Sequence, residues 1–309
     1  MAGQLMNAVQ YSTYGGGPDG LQHVEVPVPT PKKDEVLLKV EAASLNPFDW
    51  KVQKGMLRPL LPRKFPTYLV TSDVAGEIIE NGGGLAEFAV TKESLTVARP
   101  PKVSAAEVVG LSIAGLTAHQ AITQAAGIKL DGSGKKANIL VTAASGGVGH
   151  YAVQLAKLGN MHVTATCGAR NIQLVKSLGA DEILDYKTPD GAALRSPSGQ
   201  KYDAIIHCAT GIPWSTFEPN LSPNGKVIDI TPGPSALMTF ALKKLTFSKK
   251  QLLPLLLIPK GENLHYLVNL VKEGKLKTVI DSKYPLAKAR DAWAKSIDGH
   301  ATGKIIVEP

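Results

Sequence analysis

Two cysteines, Cys167 and Cys208, are all that the 309 residues contain. So few exclude a disulfide framework and a four-thiolate zinc site, and they point to a reducing compartment. Long apolar runs are missing as well. The longest stretch toward the C-terminal third, Leu252–Ile258, carries Pro254 inside it and falls far short of the ~20 residues that cross a bilayer. Met1–Gln10 has neither an apolar signal core nor an Arg- and Ser-rich transit composition, so an imported chain would travel without the usual label. Internal repeats and low-complexity tracts are absent, and the seven histidines form no recognisable ligand set. The formal charge of +8 would suit phosphate-bearing cofactors, acidic lipid or nucleic acid. Only short basic clusters stand out, Lys243-Lys244 and Lys249-Lys250, without interleaved aromatics or a nucleic-acid motif. A solvated surface therefore explains the charge, and no nucleic-acid partner is expected.

What is present is a core-forming composition, 44% hydrophobic, organised around Ile139–Gly149 and the residues that follow. An apolar run ends in a Gly-rich turn, Ala144-Ser-Gly-Gly-Val-Gly149, which opens directly onto helical periodicity at Val148, Ala152, Leu155, Ala156 and Leu158. Ala144, Gly146 and Gly149 fill the three slots of G-x-G-x-x-G, with Ala in the first. Alone, such a cluster is as often an ordinary strand-to-helix turn. Between this strand and this helix it reads as a dinucleotide site, with the backbone of Ser145, Gly146, Gly147, Val148 and Gly149 open to a pyrophosphate at the helix N-terminus.

Residues 1 to about 100 read as an all-β module, with strands at Ala8 to Tyr11, Leu21 to Val26, Glu35 to Ala42, Thr71 to Ile79 and Leu85 to Val90. After Pro100-Pro101, helices are expected at Ala105 to Leu111 and Thr117 to Ala126. Strands at Ala137 to Ala144, His162 to Cys167, Glu182 to Leu184, Ala204 to Ala209 and Lys226 to Thr231 then alternate with helices at Val148 to Leu158 and Ile172 to Leu178. That alternation predicts an α/β fold with a parallel sheet covered on both faces. A helix at Leu286 to Ile297 and a strand at Gly303 to Val307 return to the β module.

An NAD site places an acidic residue about 20 positions beyond the fingerprint, whereas a 2′-phosphate needs positive charge there. The window reads Thr166-Cys-Gly-Ala-Arg-Asn171, with no carboxylate before Asp181. A cation at the start of a helix is mildly unfavourable to the helix dipole. Arg170 therefore favours a ligand role over a merely solvated one, and the cofactor reads as NADPH rather than NADH.

With a β module before and after it, this unit resembles the medium-chain dehydrogenase/reductase superfamily over essentially the whole chain. The motifs are those of its zinc-free quinone oxidoreductase branch. Ser44-Leu-Asn-Pro-Phe-Asp-Trp-Lys51, Asp73-Val-Ala-Gly76, Gly115-Leu-Thr-Ala118, Ala143–Gly149 and Leu178-Gly-Ala-Asp181 occur in the expected order. Ile228–Gly233 and His300–Pro309 resemble the plant chloroplast envelope members of that branch. The resemblance implies a GroES-like β-barrel domain at 1–112 and 274–309 and a Rossmann NADPH-binding domain, a doubly wound parallel sheet, at 113–273. It also implies a catalytic cleft between them and a homodimer. Finally, it implies a protein attached peripherally at the chloroplast inner envelope membrane, where contact with anionic lipid is compatible with the basic surface.

Alcohol dehydrogenases of the superfamily hold zinc through a Cys in the segment matching Ser44–Lys51, where this chain has none, so no metal is expected. Family analogy sets Asn46 and Thr117 beside the nicotinamide. The plain alternatives are an Asx-turn before Pro47 and a helix-buried hydroxyl. Cys167, Gly168 and Arg170 follow the second strand of the alternating region. Tyr186 ends the third, Cys208 the fourth, and Thr231 the next, all at the strand ends where open α/β sheets bind ligands. Cys208 reads equally as a small buried residue. The candidate catalytic residues are Asn46 and Lys51; Lys51 would stabilise an enolate, against the simpler reading of a solvated lysine. Tyr284 and Lys288 match the Y-x-x-x-K spacing of short-chain dehydrogenases, but Pro285 makes Tyr284 a helix-entry residue and argues against that chemistry. The activity implied is reduction of enones, ketols, alkenals or quinones by NADPH without zinc. The alternative is an NADPH-binding protein with little turnover in a structural or membrane-surface role.

The largest departure from the branch is at Glu80-Asn81, where relatives carry about 20 further residues that close the barrel. The expectation is that this stretch belongs to the protein and that the numbering closes over it. The Cα atoms of Glu80 and Asn81 would then lie beyond the ~3.8 Å of a trans peptide.

Overall fold

The computed structural model describes residues 4–56, 58, 65–67, 73–74, 77–78 and 84–309. Glu80 and Asn81, and with them the expected break, lie outside the described residues. The chain folds as two units, Met1–Leu116 with Pro259–Pro309 and Thr117–Ile258. Gly261–Lys272, set in the nucleotide domain by the sequence reading, groups with the first unit.

The first unit begins with an antiparallel pair, β1 (Leu5–Gln10) and β2 (Gln22–Pro27). β3 (Glu35–Lys39) is shorter than the strand expected over Glu35 to Ala42, and β4 (Ala43–Leu45) begins beyond it as an element the sequence did not signal. The module is not purely β, because α1 (Pro47–Gln53) follows directly. The signal for this helix lies in Asn46-Pro-Phe-Asp49. Proline is pre-organised for the first helical turn, and the Asp49 carboxylate accepts the Asn46 backbone N–H at 2.7 Å. β5 (Asp73–Val74) and β6 (Glu77–Ile78) pair antiparallel, and β7 (Phe88–Lys92) pairs antiparallel with β3.

From α2 (Ala105–Val109) the chain stays helical through wide π turns at Leu111–Gly115 and Ala121–Ala125 that flank α3 (Leu116–Gln120). The second unit is a six-stranded, all-parallel sheet. Its strands are β8 (Asn138–Val141), β9 (His162–Cys167), β10 (Glu182–Asp185), β11 (Tyr202–His207), β12 (Leu221–Asp229) and β13 (Gln251–Pro254), in the order β10-β9-β8-β11-β12-β13. The connecting helices are α4 (Gly149–Leu158), α5 (Ile172–Ser177), α6 (Pro189–Ala192), α7 (Trp214–Phe217) and α8 (Pro234–Leu245). The inner strands are near-continuous apolar runs because helices cover both faces: Ile139, Leu140, Val141, Ile205, Ile206, Val227 and Ile228 are buried. β13 and α8 go beyond the elements expected from the sequence. Pro254 reads as a strand breaker, yet among the described residues β13 is an edge strand paired only with β12, where a missing N–H breaks no ladder bond.

The chain returns to the first unit with α9 (Gly261–Lys272), β14 (Ile280–Pro285), α10 (Ala289–Asp298) and β15 (Lys304–Glu308). β14 is a further element without a clear signal in the sequence. A five-stranded sheet in the order β14-β15-β4-β5-β6 results, so the C-terminal strand lies beside β4. The core here gathers around Trp293 with Tyr11, Leu21, Leu45 and Leu85. Burying so large a side chain brings about 3 kcal/mol or more of stability. The Trp293 indole N–H donates to Gln53 Oε1 at 3.0 Å. Tyr284 lies in β14 and Lys288 in the short turn before α10, so the two do not share a helix face. Among the described residues no helix is long and apolar enough to cross a membrane.

Candidate cofactor and active site

In the second unit, five strand ends carry the candidate residues in a row along the carboxyl edge of the sheet. The fingerprint follows β8, Gly168–Asn171 follows β9, Tyr186 follows β10, Cys208 follows β11, and Thr231 stands two residues beyond β12. β8 has β9 on one side and β11 on the other. The direction of winding reverses there, at the point where such sheets bind ligands.

The fingerprint turn is held from beneath. Thr166 accepts the Ala144 N–H through its carbonyl at 2.8 Å and the Ala143 N–H through its hydroxyl at 3.2 Å. Ala143 has φ 48°, a left-handed conformation that costs a non-glycine residue of order 1 kcal/mol and recurs where a backbone is shaped for a ligand. The glycines divide their work. A Cβ on Gly149 would stand 2.2 Å from the Ala143 carbonyl oxygen, so Gly149 permits the close packing of α4 on the turn. A Cβ on Gly146 would meet that oxygen at 3.2 Å, a tight contact but a far smaller intrusion than at Gly149. Ser145, Gly146, Gly147 and Val148 are half-buried and lead into the N-terminus of α4.

The loop after β9 is tied to this turn: Asn171 Nδ2 donates to Ser145 Oγ at 2.9 Å. Arg170, its neighbour, is exposed. Tyr186 is 49% exposed and lies against Gly168, where a Cβ would contact the ring at 3.4 Å. The Lys187 ammonium stands 6.0 Å from the Tyr186 ring centroid and adds a second cation to this corner. Asp181, the first carboxylate after the window, is engaged elsewhere. It accepts two bonds from Lys157 Nζ, at 2.9 and 2.8 Å, and the Val163 N–H at 2.8 Å, at the opposite end of β9.

Across the switch point Thr142 links β8 to β11. Its hydroxyl oxygen accepts the N–H groups of Cys208 at 2.9 Å and Ala209 at 3.2 Å. With both lone pairs taken, its proton goes to His207 Nδ1, 3.0 Å away. Burial lowers the His207 pKa against the pull of Asp229, so the ring is neutral and free to accept there. Thr231 donates its hydroxyl to the Ala209 carbonyl at 3.2 Å and its N–H to Asp229 Oδ1 at 2.9 Å. Sequence reasoning missed Thr142, Asn171 and His207. Only Asn171 has a signal there, its place beside Arg170. Burial pushes the Cys167 thiol up to about 11 and the Cys208 thiol up to about 12, so neither is a nucleophile at neutral pH.

Thr117 is buried on α3. In the first unit, Asn46 is 4% exposed and its amide is held on both sides. Lys304 Nζ donates to Asn46 Oδ1 at 2.6 Å, and Asn46 Nδ2 donates to Asp73 Oδ2 at 2.9 Å. Burial pushes Asp73 up and Lys304 down, each opposed by the other's charge. Lys51, in the last turn of α1, is half-buried with its ammonium 5.7 Å from the Trp50 ring centroid, and burial lowers its pKa.

Two family models match the chain, an alcohol dehydrogenase GroES-like domain over residues 32–133 and a zinc-binding dehydrogenase over 178–307. Ser44–Lys51 has no cysteine, and among the described residues no group of three or more His, Cys, Asp or Glu could hold a metal ion. The chain is 71% identical to the chloroplast envelope quinone oxidoreductase homolog of Arabidopsis thaliana and 69% identical to the chloroplastic quinone-oxidoreductase homolog of Spinacia oleracea, over the full length of each. Both alignments run over 330 positions, against the 309 residues of this chain. It is 30% identical to the NADPH-dependent alkenal/one oxidoreductase, chloroplastic, of Arabidopsis thaliana, over 98% of this chain and 80% of that one. The solved quinone oxidoreductase of Coxiella burnetii superposes with a TM-score of 0.83 at 29% identity, over 99% of this chain and 100% of that one. A GroES-like domain joined to a Rossmann-type parallel sheet, identity of this extent and named oxidoreductases on every side lead to one conclusion: the chain is an oxidoreductase that belongs to the medium-chain dehydrogenase/reductase superfamily, among its quinone oxidoreductase homologues.

Proposed function

We propose that the protein is an NADPH-dependent reductase that passes hydride to α,β-unsaturated carbonyls, among them enones, ketols and alkenals, or to quinones, without zinc. The observation that carries this reading is the corner after β9 and β10. It offers Arg170, Lys187 and the Tyr186 ring, while Asp181 is occupied by Lys157. A ribose 2′-phosphate suits two cations, and the Asp185 carboxylate at the end of β10 is engaged by the Lys187 backbone N–H at 3.0 Å. The NADPH dependence named for the alkenal/one oxidoreductase relative supports it.

NADPH, when bound, supplies the hydride. The backbone of Ser145–Gly149 and the α4 N-terminus hold the pyrophosphate. Cys167, Gly168, Arg170 and Tyr186 receive the adenosine end. Cys208 and Thr231, on the strap built by Thr142, border the nicotinamide. Asn46 and Thr117 fix the carboxamide and the ring face. Hydride transfer to the β-carbon of an enone leaves an enolate, which Lys51 stabilises and water protonates.

A homodimer is part of this reading. Its support is α8, which buries none of its residues, beside the outer edge of β13. Met238 and Leu245 of α8 are 71% and 76% exposed, and Phe247 just beyond the helix is 93% exposed; exposed apolar side chains flanking a sheet edge fit a second copy across a two-fold axis. A peripheral place at the chloroplast inner envelope, in contact with anionic lipid, is supported by the chloroplast envelope relative and the net charge of +8. The test is NADPH oxidation with a panel of enones, ketols, alkenals and quinones, run with and without a chelator. Turnover that survives chelation is expected. Turnover lost on chelation and restored by zinc overturns the zinc-independent reading.

A further inference from the structure

Lys304 and Asp73 place opposite charges inside the first unit, with side chains 2% and 0% exposed. The topology explains why they meet. β15 and β5 flank β4 on its two sides, and Asn46 is the residue that leaves β4. The Lys304 ammonium has three hydrogens and three acceptors: Asn46 Oδ1 at 2.6 Å, the Leu45 carbonyl at 3.1 Å and Asp73 Oδ2 at 3.5 Å. Asp73 accepts from Asn46 Nδ2 at 2.9 Å and, on its other oxygen, from the Ile113 N–H at 3.1 Å.

An ammonium only donates and an ionised carboxylate only accepts, so the two ends of the Asn46 amide cannot be exchanged in this setting. A buried ion pair is a poor source of stability compared with apolar side chains of the same volume. What it supplies and an apolar pair cannot is direction.

We infer that Lys304 and Asp73 are positioning residues: from either side of β4 they hold the Asn46 amide in a single orientation and so set the hydrogen-bonding polarity that Asn46 presents to the reaction. This rests on the proposal that Asn46 meets the nicotinamide or the substrate. Asn46 Nδ2 also donates to the Ser44 carbonyl at 3.5 Å, and Lys304, by drawing electron density toward Oδ1, strengthens Nδ2 as a donor.

Two measurements test it. In the cofactor-free protein, selective 15N labelling of asparagine should give one sharp, inequivalent pair of Asn46 Nδ2 hydrogens. In Lys304→Met that pair should double or broaden as the amide samples both orientations. An unchanged sharp pair overturns the inference. In a double-mutant cycle on kcat, Lys304→Met and Asn46→Ala should each lower the rate on the order of tenfold or more. The double variant should be no slower than the worse single one, and NADPH affinity in Lys304→Met should stay within about threefold of wild type. Losses that multiply overturn the positioning role while Asn46 keeps its own. Wild-type kcat and KM in Asn46→Ala overturn instead the reading of Asn46 on which the inference rests. Should Lys304→Met fail to fold, Asp73→Asn, which keeps the side-chain shape, enters the same cycle. A loss that vanishes in the Asn46→Ala background supports the role, and a loss that persists overturns it.

Discussion

Asn171 reaches back from the loop after β9 and donates its amide to the hydroxyl of Ser145 at 2.9 Å, so the loop that carries Arg170 is tied to the turn proposed for the pyrophosphate. Asn171→Ala should weaken NADPH binding by a few-fold to about tenfold, the worth of one net hydrogen bond. The loss should be smaller for NADH, because the tie orients the corner proposed for the 2′-phosphate. Titration of nicotinamide fluorescence measures both, and an equal loss for the two cofactors would show that the tie has no part in phosphate recognition.

Arg170→Ala should erase most of the preference for NADPH over NADH. A charge-assisted phosphate contact is worth roughly 1.5 to 3 kcal/mol, a change of order tenfold or more in relative affinity. Lys187→Ala should have a smaller effect in the same direction, since its ammonium already lies over the Tyr186 ring.

The two fingerprint glycines should fail in different ways. Gly146→Val should abolish cofactor binding with the fold intact, because the added atoms point into the space proposed for the pyrophosphate. Gly149→Ala should instead cost the fold about 1 to 3 kcal/mol or more, because its Cβ would fall 2.2 Å from backbone oxygen. Thermal unfolding separates the cases. A Gly149→Ala protein as stable as wild type would mean that α4 does not pack on the turn as described.

A pH effect is expected far from the site. Burial alone would raise Glu182, but its carboxylate accepts the Ser196 hydroxyl at 2.7 Å, the Thr164 hydroxyl at 2.8 Å and the Ser198 N–H at 3.1 Å. Together these hold it at about 2 against an ordinary 4.5. A carboxylate depressed in the folded state contributes stability above its unfolded pKa, and the contribution is lost as pH falls toward the folded one. Glu182→Gln should therefore be less stable than wild type at about pH 6, and the gap should narrow between pH 4.5 and pH 2. A gap independent of pH would show that the hydrogen bonds do not distinguish the charged form.

Leu245→Glu with Phe247→Glu should shift the protein toward monomer in sedimentation, with cofactor affinity retained. If the wild type is already monomeric, or the variant still dimerises, the face formed by α8 and β13 is not the interface.

The nucleotide-binding half was largely legible because inner strands covered on both faces leave long apolar runs, as at Ile139–Val141 and Val227-Ile228, and because the fingerprint fell where such a strand met a helix. β13 was hidden by Pro254, which breaks an inner strand but not an edge. α1 was hidden by its length, although its capping residues Asn46 and Asp49 were in view within a motif. The Lys304–Asp73 pair had no local signal. Its members stand 231 positions apart, and charged residues are on first reading solvated. Only the order of strands around β4 brings them together.

The central test is steady-state oxidation of NADPH and of NADH by the purified protein across enones, ketols, alkenals and quinones. Sustained turnover is expected with NADPH and a kcat/KM on the order of tenfold or more below it with NADH, a difference set by the phosphate contact. Equal rates with the two cofactors, or tight NADPH binding with no turnover of any acceptor, would contradict the proposed function.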